Sequence, residues 1–357
     1  MASAERATRS RRRTWLLVWA ILLVVAAAYT AWDVLVRYPG APGPGMGRDL
    51  EVEVPKGAGP VTLSELLHEK GLIESPGRFR LWLRFSGRLA GVRAGRFVVT
   101  DDMSPRRIMD SLSGAAAYRG NRVTIPEGFD LDRIADALEA AGVVSEESFF
   151  LAAWDTDLLD ELGIASETPE GYLFPDTYFF EPRSDPRDVV RRMHATFEAR
   201  TSALGVGPGE LHRVVTLASI VQAEARVEDE MPVIAGVYAN RLDRKLFPSG
   251  LLQADPTVAY GCVGGIRPDP VAPSCSGFTG KLTRAHLEDP KNEYNTYRHP
   301  GLPPGPICSP GMAALEAAAS PRKVPFLYFV ASATGRHRFA RTLAEHNANV
   351  ELYKKGQ

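Results

Sequence analysis

The stretch VTLASIVQAEARVEDE, residues 215–230, decides how the rest of this chain reads. Leu217, Ile220 and Val221 recur at helical spacing, and Glu224 falls on the same stripe at i+7, i+4 and i+3. A carboxylate on a mainly apolar face is partly desolvated, which favours its protonated form near neutral pH. A general acid needs that property. Periodicity alone favours a plainer reading, a helix-border Glu paired with an Arg. Glu228, one turn on, is the rival acid on this stripe, while Gln222 and Arg226 point elsewhere.

Two segments downstream supply partners for such an acid. SGLLQADPTVAYG (249–261) places Gln253, Asp255, Thr257 and Tyr260 among small residues in a loop-like context. EYNTYRHPGLPPGPICSPG (293–311) brings Tyr294, Asn295 and Tyr297 ahead of a stiff Gly/Pro loop. Neutral amides and aromatic rings suit a neutral polysaccharide, whose hydroxyls need hydrogen bonds and whose sugar faces need flat surfaces. The alternative makes the Pro-rich loop structural and its tyrosines core plugs, and for Pro303 and Pro304 that reading is preferred.

Outward from this centre the pattern is mainly helical: 131–141, 146–153, 186–200, 210–227 and 230–242. A loop-rich region with short strands is expected over about 245–310. Residues 325–332 (PFLYFVAS) are β-rich, a turn follows at Thr334–Gly335, and a last helix begins near Leu343. Upstream, residues 50–128 read as a small α+β module. It holds strands at 51–55 and 95–100, a helix over 62–71 capped by Thr62 and stopped by Gly71, and helices over 75–87 and 103–114. RVTIPEG (122–128) closes it as a strand and turn. Sparse strands among many helices favour an α+β fold over a doubly wound sheet. Residues 129–357 form the mainly helical α+β remainder.

The N-terminus adds an anchor. Arg6, Arg9, Arg11, Arg12 and Arg13 crowd a basic tail, 1–14, ahead of the uncharged run Trp15–Trp32. Eighteen helical residues span roughly 27 Å, close to the hydrocarbon core of a bilayer. A transmembrane segment over 15–36 is therefore expected, with the arginines cytoplasmic and everything after Asp33 exported. A cleaved signal peptide is the competing reading, since Ala26–Ala28 offers small residues. Residues 37–49, rich in Pro and Gly, read as a linker.

Composition narrows the chemistry by exclusion. With 45% hydrophobic residues, 24% charged residues and a net charge of −1, nothing suggests disorder or a nucleic-acid binder. There is no phosphate-binding loop, zinc-protease pair, nucleophile elbow or dinucleotide fingerprint. The seven histidines are scattered, and His337 and His346 stand only as polar contributors. Of the three cysteines, none has metal-ligand spacing, and no metal or cofactor is expected. Cys262 and Cys275 flank one Gly/Pro/Ser-rich loop and would close it as a disulfide in an oxidising compartment.

The set LASIVQAEA, YANRL, LLQADPTVAYG, YNTY, GLPPGPI and LYFVA…G…HRF, in that order, resembles the YceG-like (MltG-type) endolytic murein transglycosylases. TIPEG (124–128) and EGYLFPDTY (170–178) match upstream, so the likeness covers residues 50–350. It implies a LysM-like, glycan-binding character for the small module. It also implies a peptidoglycan substrate cut within its strands, a 1,6-anhydromuramoyl product and partners among the wall-synthesis machinery. Glu224 corresponds to the family's catalytic slot, and Gln222 stands where many relatives carry Glu. Asn240, Gln253, Asp255, Thr257, Tyr260, Asn295 and Tyr297 are the substrate-binding candidates. The loop over 262–280 is longer than usual, and Ser309 stands where many members have Asn. Two other functions compete: a hydrolytic muramidase with Asp255 as second carboxylate, and a non-catalytic glycan-binding scaffold.

Overall fold

From Ile21 to Gly40 the chain forms one helix, α1, long and apolar enough to cross a membrane. The structure is a computed structural model and describes residues 15, 18–19, 21–113, 120–263 and 272–356; the basic tail lies outside these. The chain divides into two units, 1–119 and 120–357.

In the first unit, α1 widens into a π-helical turn over Asp33–Arg37 and then tightens into a 3₁₀ turn over Tyr38–Gly40. The following segment, expected as a free linker, is instead strapped down. The Gly43 and Gly45 N–H groups donate to the carbonyls of Asp102 and Asp101 at 2.8 and 2.9 Å. The Gly47 and Arg48 N–H groups donate to the Asp101 carboxylate, both at 2.8 Å. Glycine is required at 43 and 45 because a Cβ there would run into Asp101.

Strand β1 (Asp49–Val54) pairs antiparallel with β2 (Gly95–Thr100), and α2 (Pro60–Glu69), α3 (Pro76–Ser86) and α4 (Pro105–Ser113) complete the unit. Thr62 does not cap α2. Pro60 at the first helical position starts it two residues earlier. Ser75 caps α3 and Gly87, at φ 66°, ends it. Val34, Val52, Leu63, Phe79, Trp82 and Met109 share one core.

The second unit begins with β3 (Asn121–Thr124), which pairs with β4 (Thr177–Phe180). Residues 122–128 therefore belong to this unit and do not close the first module. Helices α5 (Leu131–Ala140), α6 (Glu146–Ala153), α7 (Thr156–Glu161) and α8 (Pro186–Thr201) build a core around Leu131, Phe149, Tyr178 and Met193. A second core gathers α9 (Pro208–Glu224), α10 (Met231–Leu242) and α13 (Met312–Ala319). Gly171, at φ 80°, fits because a Cβ there would strike Pro306 and Val215. This close approach brings the EGY turn against the Pro-rich loop.

Between 245 and 310 the described residues hold no strand. They form α11 (Asp255–Val263), the short α12 (Arg284–Glu288) and turns. A disulfide joins Cys262 to Cys275, and Cys308 is buried and free. The chain then runs through the hairpin β5 (Tyr328–Ala331) and β6 (His337–Ala340) into α14 (Leu343–Lys354), which Thr342 and Glu345 cap reciprocally. The described strands make three two-stranded antiparallel sheets. The fold is a mixed helix-and-sheet one with a single apolar N-terminal helix.

Candidate active site

Glu224 is the last residue of α9. Val215, Leu217, Ala218, Ile220 and Val221 are fully buried, so the helix is fixed along its length. Ala225 then turns extended, at φ −73° and ψ 130°, and the chain leaves the helix. Because the helix stops there, Glu228 is not one turn further along the stripe. It lies exposed in a short 3₁₀ turn, Glu228–Glu230. The same break brings Arg226, expected to point away, into the cleft beside Glu224.

That cleft encloses about 610 Å³. Glu224, Tyr238, Arg241, Gln253, Asp255 and Tyr297 line it, joined by Tyr328, Phe329 and His337 from the hairpin and His346 from α14. The Tyr238 hydroxyl donates to Glu224 Oε1 at 3.1 Å. Burial raises the pKa of Glu224 to about 7, against the hydrogen bond from Tyr238. The negative charge of Asp255 raises it further and the Arg241 guanidinium opposes. Glu224 is half-buried rather than sealed, so a carboxyl that is part protonated at neutral pH still opens to the cleft.

Arg241 is held rigidly. Its Nε donates to the Leu327 carbonyl at 2.7 Å, another N–H reaches the Leu252 carbonyl, and its guanidinium lies over the rings of Phe247 and Tyr328. It therefore acts as a fixed positive charge. Asp255 is exposed and accepts a hydrogen bond from the Tyr297 hydroxyl at 2.6 Å. Gln253 is exposed with φ 54°, a left-handed conformation that costs a non-glycine residue of order 1 kcal/mol. Its N–H donates to the Thr296 carbonyl, which helps hold it there.

Four other candidates do not line the cleft. Thr257 is fully buried and bonds the Ala254 carbonyl at 2.7 Å and the Thr296 hydroxyl at 2.9 Å. Asn295, also fully buried, donates to the carbonyls of His286, Leu287 and Asp289. Asn240 donates to the carbonyls of Val324 and Phe326 at 2.8 and 2.9 Å. Tyr260 donates to Glu170 Oε2 at 3.1 Å. Thr257 and Asn240 tie together segments that carry cleft residues, whereas Asn295 and Tyr260 fasten their own segments to residues outside the cleft.

The sequence reading singled out neither Tyr238 nor Arg241, although they sit three apart on one face of α10. It also read Tyr328 and Phe329 only as part of a β-rich segment. His337 is tied to the buried Glu230 by its N–H and by Nδ1, the latter 2.8 Å from Oε2. His346 stacks on Tyr328, and burial lowers its pKa. Among the described residues no three His, Cys, Asp or Glu side chains are grouped to hold a metal ion. The arrangement offers one half-buried, part-protonated carboxyl, one exposed acid, a fixed guanidinium and a rim of rings. That set can move a proton at a neutral, hydroxyl-rich substrate.

Comparison with known proteins identifies the family. The chain is 29% identical over 325 residues to the endolytic murein transglycosylase of Bacillus subtilis (strain 168), covering 85% of this chain and 84% of that protein. It is 24% identical over 329 residues to the protein of that name in Streptococcus pneumoniae, covering 84% of this chain but 57% of the relative. The 2.6 Å crystal structure of a YceG-like protein from Listeria monocytogenes superimposes with a TM-score of 0.52 at 27% identity, covering 85% of this chain and 99% of that one. Residues 52–352 match the YceG-like family, and the chain belongs to it.

Proposed function

We propose that this protein is an endolytic murein transglycosylase that uses Glu224 twice. Protonated Glu224 donates to the glycosidic oxygen between N-acetylmuramic acid and N-acetylglucosamine, and the C1–O bond on the muramoyl side breaks. The Glu224 carboxylate then takes the proton of the muramoyl C6 hydroxyl as that oxygen closes onto C1. The proton lost in the first step is regained in the second, and no water is consumed. The observation that carries this reading is the Glu224 carboxyl, raised to about 7 by burial at the end of α9 and hydrogen-bonded by Tyr238. Asp255 and Tyr297 position the sugar, and the first unit is a LysM-like glycan-binding module. Helix α1 anchors the chain in the plasma membrane with its N-terminus cytoplasmic and both units outside. Proteins of wall synthesis are its natural neighbours there.

Mass spectrometry of defined glycan strands digested by the protein tests the reaction. The expected products carry 1,6-anhydromuramoyl ends from internal cuts. Reducing ends would instead make Asp255, which lines the same cleft, the second carboxylate of a hydrolase. Strands that are bound but never shortened would leave a scaffold.

The pH profile gives a second expectation. The alkaline limb of kcat/KM should fall near pH 7, where free Glu224 loses its proton. Tyr238→Phe removes the hydrogen bond that favours the carboxylate, so the pKa of Glu224 rises and the limb moves up. A hydrogen bond to a charged group of about 1.5 kcal/mol corresponds to roughly one pH unit. A limb that stays in place in Tyr238→Phe would separate Tyr238 from the acid.

A further inference from the structure

Helix α1 does not simply end where its apolar run ends. Ile21 to Trp32 are exposed along the described helix, but Asp33 and Val34 are buried, and then Leu35 and Val36 are exposed again. Val34 enters the core of the first unit with Phe79, Trp82 and Leu83 of α3. Asp33 pairs with Arg78 of α3, whose guanidinium also lies over the Tyr38 ring at 5.4 Å. One helix of the folded unit is thus fastened at the point where a membrane-spanning segment leaves the bilayer.

The outward face of α3 suits that place. Its sequence, PGRFRLWLRFS, has three arginines and no acid. Phe79, Trp82 and Leu83 face the core, whereas Leu81 and Phe85, four residues apart on one face, are exposed, Phe85 to 65%. Arg84 between them is exposed too. Arg78 pairs with Asp33 and Arg80 with Glu65 of α2 at 3.9 Å, so Arg84 is the arginine that stands out beside Leu81 and Phe85. Glu51, Glu53, Glu65 and Glu69 line a groove between β1 and α2. An exposed arginine beside protruding aromatic and aliphatic side chains is the pattern of a helix face lying in a headgroup layer.

We propose that Leu81, Phe85 and Arg84 rest in the anionic headgroup layer of the bilayer that α1 spans, seating the first unit on the lipid surface. This rests on the reading of α1 as a membrane anchor. Seated so, the unit is held against the outer leaflet on two attachments, the α1 junction and α3.

Environment-sensitive labels on single cysteines test it in the full-length protein, reconstituted in vesicles of phosphatidylethanolamine and phosphatidylglycerol. Cys262 and Cys275 are bridged and Cys308 is buried, so an added surface cysteine labels selectively. Labels go at Phe85→Cys, with Leu81→Cys as the second site, at Val25→Cys in the span and at Glu69→Cys in the acidic groove. A quencher carried near the lipid headgroup should quench residues 85 and 81 several-fold more than residue 69. Aqueous iodide should do the reverse. Residue 25 should answer only to a quencher deep in the acyl chains. If residue 25 does so while 85 and 81 answer to iodide like 69, the seat is wrong and the anchor stands. If residue 25 also answers to iodide, the anchor fails and the seat with it. Shielding of 85 from iodide without lipid quenching, growing with protein density, would assign the face to another copy and overturn the proposal.

Discussion

Glu224→Gln is expected to remove glycan cleavage while leaving the fold and glycan binding in place. Gln keeps the length of the side chain and still accepts from the Tyr238 hydroxyl, but it has no proton to give. Proton transfer by a positioned group contributes about 10²–10⁴-fold, and one group serving both steps puts the loss at or above that range. Melting should not suffer. A carboxyl raised to about 7 is costly to ionise when buried, so the variant should equal or exceed the wild type in stability above that pH. Glu228→Gln should cost little, since its exposed turn lies off the cleft. Asp255→Asn should weaken activity through substrate positioning. A Glu224→Gln protein that keeps more than about a tenth of wild-type turnover would remove Glu224 from the acid's role.

The second large effect concerns stability and arises away from the cleft. Glu170 is 2% exposed, and its Oε2 accepts from the Leu131 N–H and the Tyr260 hydroxyl, both at 3.1 Å. Burial raises its pKa to about 8, with the negative charge of Asp130 adding and the hydrogen bonds opposing. The folded protein therefore holds this proton more tightly than the unfolded chain, whose Glu titrates near 4.3. Stability is full below that value and is lost as the pH climbs through about 8. Each tenfold difference in proton affinity is worth about 1.4 kcal/mol, so the loss reaches several kcal/mol by pH 9. Glu170→Gln keeps both hydrogen-bond acceptances and cannot ionise. Its melting temperature at pH 9 should exceed the wild type by roughly 5–10 °C, narrowing toward zero near pH 5. Glu127, Asp132 and Glu224 are also raised, so both proteins will slope, and the difference between them isolates Glu170. A variant less stable than the wild type at pH 9 would mean that the charge at 170 is stabilised, not tolerated.

Local chemistry made some elements legible and hid others. Helix α3 could be read because Ser75 and Gly87 bracket it, and α6 because Ser145 accepts a hydrogen bond from Ser148 at its start. Helix α11 could not, since DPTVAYG carries a helix-opening Pro but few strong helix formers. Tertiary bonds between Thr257 and Thr296 hold its first turn. Helix α13, MAALEAAA, had the propensity to be seen and was passed over. In the cleft, Glu224, Gln253, Asp255 and Tyr297 are brought together. Asn240, Thr257 and Asn295 carry the same amide and hydroxyl chemistry, but they spend it on their own backbone. Composition cannot tell a hydrogen bond to a sugar from one to a loop carbonyl. Arg226 was misplaced for a different reason: extending the helix past Glu224 carries every later side chain round to the wrong face.

The strap over residues 43–48 decides where a soluble fragment of this protein can begin. A cut at 49, the natural choice if the Pro/Gly stretch were a tether, would strip Val34 from the core and leave the Asp101 carboxylate without the Gly47 and Arg48 N–H groups. The fragment would start with an opened hydrophobic face and tend to aggregate. Beginning at Asp33 keeps both the buried valine and the pairing with Arg78 while discarding the exposed apolar run. The long apolar helix and the domain thus overlap in sequence by a few residues, and for expression the boundary between them belongs at Trp32.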